Sequence, residues 1–248
     1  MVYTHRFYRA WVSERKLFRF RVLLHESDIE IAVESDLTHR ACEALSGARK
    51  DIEGYIKLHP CFLMAMDPVE YDTTAPAIVK RMMNAAAIWN VGPMAAVAGV
   101  IADAVGERLS DHSKSVIVEN GGDLFIRSGN KVNCALYAGK ESPFADKTGF
   151  SVDAPQGLGI CTSSRTIGHS YSRGRANAVT VIAEDSTTAD AAATAIANRI
   201  HSAEDVHDQL AQLDSDSGLV GVVACCGDRL ASWGVRLFRT DLQGGSVT

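Results

Sequence analysis

The 248-residue chain has no apolar run that reaches membrane-spanning length without interruption. The stretch from Ala85 to Val105 comes nearest. Asn90, Gly92, Pro93 and Asp103 break it, so it reads as buried helices. The first residues, MVYTHRFYRAWVSERK, hold no apolar signal core and no lipid-attachment box, and the expected compartment is cytoplasmic. No pair of cysteines is spaced CxxC, and six cysteines in a chain this apolar do not make a disulfide scaffold. There is no Walker pattern and no GxGxxG. No internal repeat recurs at a fixed period. Positive charge is not in excess: 25 Lys and Arg face 30 Asp and Glu, a formal net charge of −5, which argues against a general nucleic-acid binder.

What is present suits one domain, or two closely joined lobes, with an ample core. Phe18 to Leu24 and Ile29 to Val33 alternate around the turn His25-Glu26-Ser27-Asp28, which predicts a hairpin with one wet face. Leu37, Ala41, Ala44, Leu45, Ala48, Ile52, Tyr55 and Ile56 follow helical spacing, so 38–58 is a helix ended by His59-Pro60. Residues 60–74 read as a loop. A second helix starts near Pro76 and runs to Trp89, and a third begins at Pro93. The third carries Ala95, Ala96, Ala98, Gly99 and Ala102, small enough for very close packing by a helix or a flat ligand, and Asp103 lies late in it.

Ser115 to Val118 is a strand that enters Glu119-Asn120-Gly121-Gly122-Asp123 and continues as Leu124-Phe125-Ile126. Asn-Gly-Gly-Asp between apolar strands is a hairpin signal in its own right. It also exposes an Asn, an Asp and bare backbone N–H groups to a ligand. Lys131 to Tyr137 reads as a separate strand and 139–157 as a loop. Glu204 to Leu213 is a short helix, and Leu219 to Ala224 and Leu230 to Leu237 are strands. The tail 241–248 is expected to be flexible. Hairpins with segregated helices indicate an α+β fold of mixed, mainly antiparallel sheets with packed helices.

The stretch from Gly157 to Asn198 organises the rest. Cys161-Thr162-Ser163-Ser164-Arg165-Thr166 and His169-Ser170-Tyr171-Ser172 place hydroxyls, an imidazole and an arginine in one short run, with glycines that allow close backbone approach. Such groups suit phosphate oxygens. A solvated Ser/Gly loop between strands is the plain alternative. Cys161 is the thiol placed to touch a ligand, or a small packing residue. Ala178 to Ala183 is a buried strand, and a helix covers Ala189 to Ile200. Asp190 in its first turn and Thr194 one turn on share a face and could ligate a hard cation such as Mg²⁺. Alternatively, Thr187 caps the helix and Asp190 closes a capping-box variant.

Val118-Glu119-Asn120-Gly121-Gly122-Asp123-Leu124 resembles the motif vNxGGDi, and Ala189-Asp190-Ala191-Ala192-Ala193-Thr194-Ala195 resembles ADALATA. In that order, over roughly residues 90 to 200, they resemble the ApbE-like superfamily, best known for FAD:protein FMN transferases. Thr162-Ser163-Ser164 is similar to the family's TSG segment, and His169 to the histidine after it. The run from Gly159 to Val181 resembles an uncharacterised branch of that superfamily rather than the transferases themselves. The resemblance implies an ApbE-like α+β fold with a flavin-nucleotide and Mg²⁺ site between two lobes. It implies Asp190 and Thr194 as metal ligands. Asn120, Gly121, Gly122, Asp123, Thr162, Ser163, Ser164 and Arg165 would border the ligand. His169 and Asp190 would be the catalytic pair. The expected cofactors are Mg²⁺ with FAD or FMN, and the expected partner is a small nucleotide or other phosphorylated ligand. No membrane or nucleic acid is expected, and a homodimer is admitted.

The chain departs from the transferases in two places. Gly92-Pro93-Met94 stands where they carry a lysine-glycine pair, and His169 leads almost directly into the next strand. The functions that follow are a Mg²⁺-dependent phosphoryl or FMN-type transferase or hydrolase, a non-catalytic flavin or nucleotide binder, or a pathway accessory protein.

Overall fold

The computed structural model describes residues 17–136, 138, 142–144, 148–164 and 174–239. Alternation of apolar and basic residues makes β1 (Phe18–Leu24), which pairs antiparallel with β2 (Ser27–Val33). The wet face belongs to β1. Both faces of β2 are mostly buried, because a helix layer covers one side and folded-back strands cover the other. Helix α1 (Thr38–Leu58) has the predicted bounds and buries Ala41, Leu45, Ala48, Ile52 and Tyr55 along one stripe. The expected loop after it contains one helical turn, α2 (Cys61–Met64). Helix α3 (Ala77–Trp89) starts after Pro76 and ends at Asn90, whose left-handed φ of 55° stops it. Pro93–Ala96 forms a 3₁₀ turn rather than the start of the next helix, and α4 (Val97–Ser110) follows.

Strands β3 (Val116–Asn120) and β4 (Asp123–Ala135) form the expected Gly-Gly hairpin. Two expectations fail next. The strand predicted from Lys131 is the second half of β4, which stays continuous through shifts of register at Ile126, Ser128 and Val132. Much of the loop predicted over 139–157, and the loop expected to continue through Ser163, is one long strand, β5 (Thr148–Ser163). Strand β6 (Ala178–Ala183) has the predicted bounds. Helix α5 (Ser186–Arg199) starts three residues before the predicted alanine run. Helix α6 (Asp205–Ala211), β7 (Leu219–Cys226), β8 (Arg229–Trp233) and β9 (Leu237–Arg239) complete the described chain. The tail 241–248 lies outside the described residues.

The described strands form one antiparallel meander, β1 to β8 in sequence order, with β9 pairing the start of β5. The helices are two insertions into that meander: α1–α4 between β2 and β3, and α5–α6 between β6 and β7. Strand alternation then sorts the core. Ile31, Val33, Val116, Val118 and Phe125 pack against α1, α3 and α4. Val179, Val181, Val222 and Ala224 pack against α5 and α6. Ala32, Ile117, Ile126, Ile182 and Val223 face the other way, under the folded-back halves of β4 and β5 with Val132, Phe150 and Val152. The two helix-side cores adjoin where α4 meets α5.

Three glycines allow close approach around it: Gly99 where α4 meets α5, Gly159 where β5 meets the start of α5, and Gly106 where α4 meets β4. A Cβ at Gly99 would lie 2.1 Å from the Ser186 carbonyl oxygen, and one at Gly159 would lie 2.2 Å from the Ser186 nitrogen. A Cβ at Gly106 would enter the Phe125 ring. Of the small residues foreseen in this stretch, Gly99 serves helix packing, while Ala95 and Ala98 stay partly exposed. Among the described residues no single helix is long and apolar enough to cross a membrane. Ala77–Trp89 and Pro93–Ser110 pass by length and composition together but are bent by 107°.

Candidate functional site

The β3–β4 turn is built on two glycines with positive φ, +73° at Gly121 and +113° at Gly122. No L side chain adopts that pair of angles readily, which is why Gly-Gly stands here. Among the described residues, a Cβ at either position would meet nothing within 4 Å, so they leave the outer side of the turn uncovered. Its inner side is tied down. Gly122 N donates to Glu119 Oε1 at 2.8 Å, Asn120 Nδ2 donates to the Ala98 carbonyl at 3.0 Å, and Asp123 Oδ1 accepts from Thr162 N at 3.1 Å. The hairpin end is thus held between the start of α4 and the end of β5.

Helix α5 approaches the same place. Gly99 N, in the first turn of α4, donates to Asp190 Oδ2 at 2.9 Å, and the Ala98 N–H also favours the Asp190 carboxylate. Asp190 therefore serves the N-terminus of α4, where free N–H groups attract an anion. The reverse contact lies one turn further along. Asp103, fully buried on α4, accepts from Ser186 N (2.8 Å), Thr187 N (2.9 Å) and Thr187 Oγ1 (2.6 Å) at the start of α5, and from Arg81 Nη2 (2.8 Å) on α3. The two helices cap one another. The expected Thr187 cap and capping box do not form. The N-cap is Asp185, accepting from Thr188 N at 2.7 Å. Asp190 lies in the second turn, because the helix begins at Ser186 and Thr187 sits inside it.

Among the described residues the charges gathered here are one-sided. Burial, and next the charge of Asp123, push the Asp190 carboxyl well above its usual range, against the pull of the Gly99 and Ala98 N–H groups. Burial pushes Asp123 up to about 7, with Glu119 adding to the rise and the Thr162 N–H opposing it. The guanidinium of Arg81 is engaged by Asp103 and Glu107. A divalent cation at Asp190 would relieve this burden, and the donors fit one. Asp190 keeps partial exposure, and Thr194, also partly exposed, follows one turn later on α5. Among the described residues no three His, Cys, Asp or Glu side chains are grouped to hold a metal. A cation there would take one carboxylate and one hydroxyl from α5 and its remaining oxygens from water and ligand, a set that suits Mg²⁺ rather than zinc.

The structure brings Asn120, Asp123, Thr162 and Asp190 together around residues 98 and 99. The hydroxyls expected to cradle phosphate lie on β5 or at its end, and two are engaged internally. Thr162 Oγ1 shares a 2.8 Å bond with Thr180 Oγ1 across the strands, and Ser164 Oγ bonds the Asn177 carbonyl at 2.5 Å. Ser163 is buried. Arg165 and His169 lie outside the described residues. Cys161 is a packing residue: fully buried, it donates to the Ser186 carbonyl at 3.2 Å, and burial lifts its thiol well above the usual range. Cys225 and Cys226 are buried free thiols, Cys226 donating to the Arg175 carbonyl at 3.5 Å, with Cys225 pushed by burial up to about 11. Asp103 was legible only as a late acid in the helix; a lone carboxylate in the apolar run from Val97 to Val105 was the available signal.

The family described as AbpE bacteria matches residues 9–231. The UPF0280 protein of Methanopyrus kandleri is 42% identical over 183 residues, covering 73% of this chain and 74% of its own. The UPF0280 protein of Methanocaldococcus jannaschii is 37% identical over 233 residues, covering 90% and 94%. Among solved structures, the flavinyl transferase ApbE from Pseudomonas stutzeri, in its apo form, is similar with a TM-score of 0.54 at 15% identity, covering 94% of this chain and 98% of that one. The ApbE protein from Thermotoga maritima gives 0.54 at 15% identity, covering 91% and 97%. A variant of the flavin transferase ApbE from Vibrio cholerae gives 0.57 at 11% identity, covering 92% and 98%. At those identities the structures share the fold, and the sequence match over most of the length places the chain in the AbpE bacteria family, alongside the UPF0280 proteins.

Proposed function

We propose that this chain binds a flavin nucleotide, or another ligand with a pyrophosphate, together with Mg²⁺, at the junction of the β3–β4 turn with α5, and that it transfers or hydrolyses a phosphoryl or FMN-type group there. One observation carries the reading. Asp123 and Asp190 share a partly desolvated junction where, among the described residues, no guanidinium pairs with either, beside a glycine turn whose outer side meets no described residue. The flavin transferases that share the fold support the choice of ligand.

In this reading Asp190 and Thr194 hold the ion, which when bound supplies charge neutralisation at the pyrophosphate. Gly121 and Gly122 let a ligand approach backbone closely, and Asn120 and the end of β5 border it. Asp123, whose carboxyl burial raises, can hold or release a proton beside the ligand. Arg165 is assigned to phosphate charge and His169 to proton movement, with the protein acting in the cytoplasm. A second reading, a binding protein without turnover, draws on Gly92. A Cβ there would lie 1.8 Å from the Ala65 carbonyl oxygen, so a residue standing where the transferases carry lysine-glycine serves packing here.

The test is incubation of the protein with FAD and Mg²⁺, with the products separated chromatographically. Release of FMN and AMP by the wild type, absent in Asp190→Asn, is the expected result. Stoichiometric FAD left intact selects the binding protein. No FAD binding with or without Mg²⁺ overturns the proposal.

A further inference from the structure

Asp103 is a fully buried carboxylate whose oxygens are both engaged by the protein itself. Its two oxygens take four bonds, from Ser186 N, Thr187 N, Thr187 Oγ1 and Arg81 Nη2. All four partners are donors, so the bonding pattern is that of an ionised carboxylate. Burial works against that charge, while the Thr187 hydroxyl and the Arg81 guanidinium work for it.

The placement of these bonds gives them a consequence beyond capping. Gly99 and Asp103 are one helical turn apart on α4, and Ser186 and Asp190 are one turn apart on α5. At one level Gly99 N holds Asp190 Oδ2. At the next, Asp103 holds Ser186 and Thr187. Two contacts a turn apart fix both the translation and the rotation of α5 about its axis. A single contact would leave the helix free to roll. The Gly99 backbone, within 2.1 Å of the Ser186 oxygen for any added Cβ, leaves no slack in the separation. Rotation of α5 is what aims Asp190 and Thr194. Arg81 reaches from α3 to Asp103 and also holds Glu107 through Nη1 at 2.9 Å, so a third helix steadies the clamp.

We infer that Asp103 is the positioning residue of the cation site: through the first turn of α5 it aims Asp190 and Thr194 at the ion without touching it. The inference rests on the proposed reading of α5 as the helix that holds the cation. It predicts that Asp103 sets metal affinity apart from its effect on stability, as outer partners of metal ligands do.

The experiment titrates the full chain with Mn²⁺ alone, reading free Mn²⁺ by electron paramagnetic resonance well below the melting transition. Four variants are compared with the wild type. Asp190→Ala removes the ligand. Asp103→Asn turns one of the acceptor atoms into a donor facing a donor. Thr187→Val removes one of the four bonds and keeps the shape. Val223→Ala weakens the core on the opposite face of the sheet. The expected result is Mn²⁺ binding by the wild type, none by Asp190→Ala, and a loss of about tenfold or more in Asp103→Asn. Thr187→Val shows a smaller loss in the same direction, and Val223→Ala keeps wild-type affinity despite a lower melting temperature. If Asp103→Asn does not fold, Thr187→Val against Val223→Ala decides the matter. Wild-type affinity in Thr187→Val and in any folded Asp103→Asn overturns the positioning role while the site stands, and so does an equal loss in Val223→Ala. No Mn²⁺ binding by the wild type removes the cation site and the inference with it.

Discussion

The hairpins β1–β2 and β3–β4 turn at the same end of the sheet, side by side, since Ile29 pairs with Asn120. Each carries acids at its turn, and they treat them oppositely. At β1–β2, Asp28 takes both Nε and Nη2 of Arg21, at 2.5 and 2.8 Å, and Glu26 takes Nη2 of Arg49 at 2.6 Å. At β3–β4, Asp123 takes a backbone N–H and faces the charge of Asp190. The first turn opens on His25 at a left-handed φ of 53°, whereas the second has two glycines and no described residue above them. Acids matched by guanidinium groups at fixed geometry are structure. Acids buried without them are left for a cation or a proton.

Four changes break or sharpen this contrast. The largest effect is expected from Gly99→Ala, which drives a methyl into the Ser186 carbonyl and separates α4 from α5. It should cost about 3 kcal/mol in chemical denaturation, with the β1–β2 end unaffected in hydrogen exchange. Next, Arg21→Ala leaves Asp28, nearly buried, without its guanidinium. With Arg21 itself 45% exposed, the loss should be about 1–2 kcal/mol, and ligand binding should be unchanged. Gly122→Ala forces a side chain to a φ of +113° with no clash, so about 1–2 kcal/mol of stability should go. Ligand binding should weaken with it, unlike in Arg21→Ala. The fourth effect is one of pH rather than of packing. Without divalent ions, folded Asp123 holds its proton up to about pH 7, while an unfolded carboxyl releases it near about pH 4. The native state then binds the extra proton, so stability falls as pH rises between those values and levels off above them. Asp123→Asn should flatten that slope in thermal unfolding measured across the range.

Much of this was readable from residues alone, where a local pattern and the final environment agree. Helix α1 and strand β6 have the predicted bounds because one has an unbroken apolar stripe and the other six consecutive residues that are all buried. The Gly-Gly hairpin was readable because its backbone angles admit little else. Strand β5 was not, because it carries Ser, Gly, Pro and Gln where strand formers are expected. Its pairing with β4, β6 and β9 and its packing on α5 overrule propensity. For the site, Asn120, Asp123, Thr162 and Asp190 were named and do meet. The reciprocal caps were invisible, since Asp103 finds its partners 83 and 84 residues away. Reading Thr187 as the cap followed local rules that a buried carboxylate from another helix set aside.

The account stands most directly on a divalent ion joining a pyrophosphate to Asp190. The decisive measurement is thermal unfolding of the wild type and Asp190→Asn with FAD, in the presence and absence of Mg²⁺. The account predicts a rise in melting temperature that needs both FAD and Mg²⁺ in the wild type and vanishes in Asp190→Asn, since a ligand bound by the native state stabilises it by mass action. A rise of equal size in the variant, or one in the wild type that ignores Mg²⁺, would contradict it.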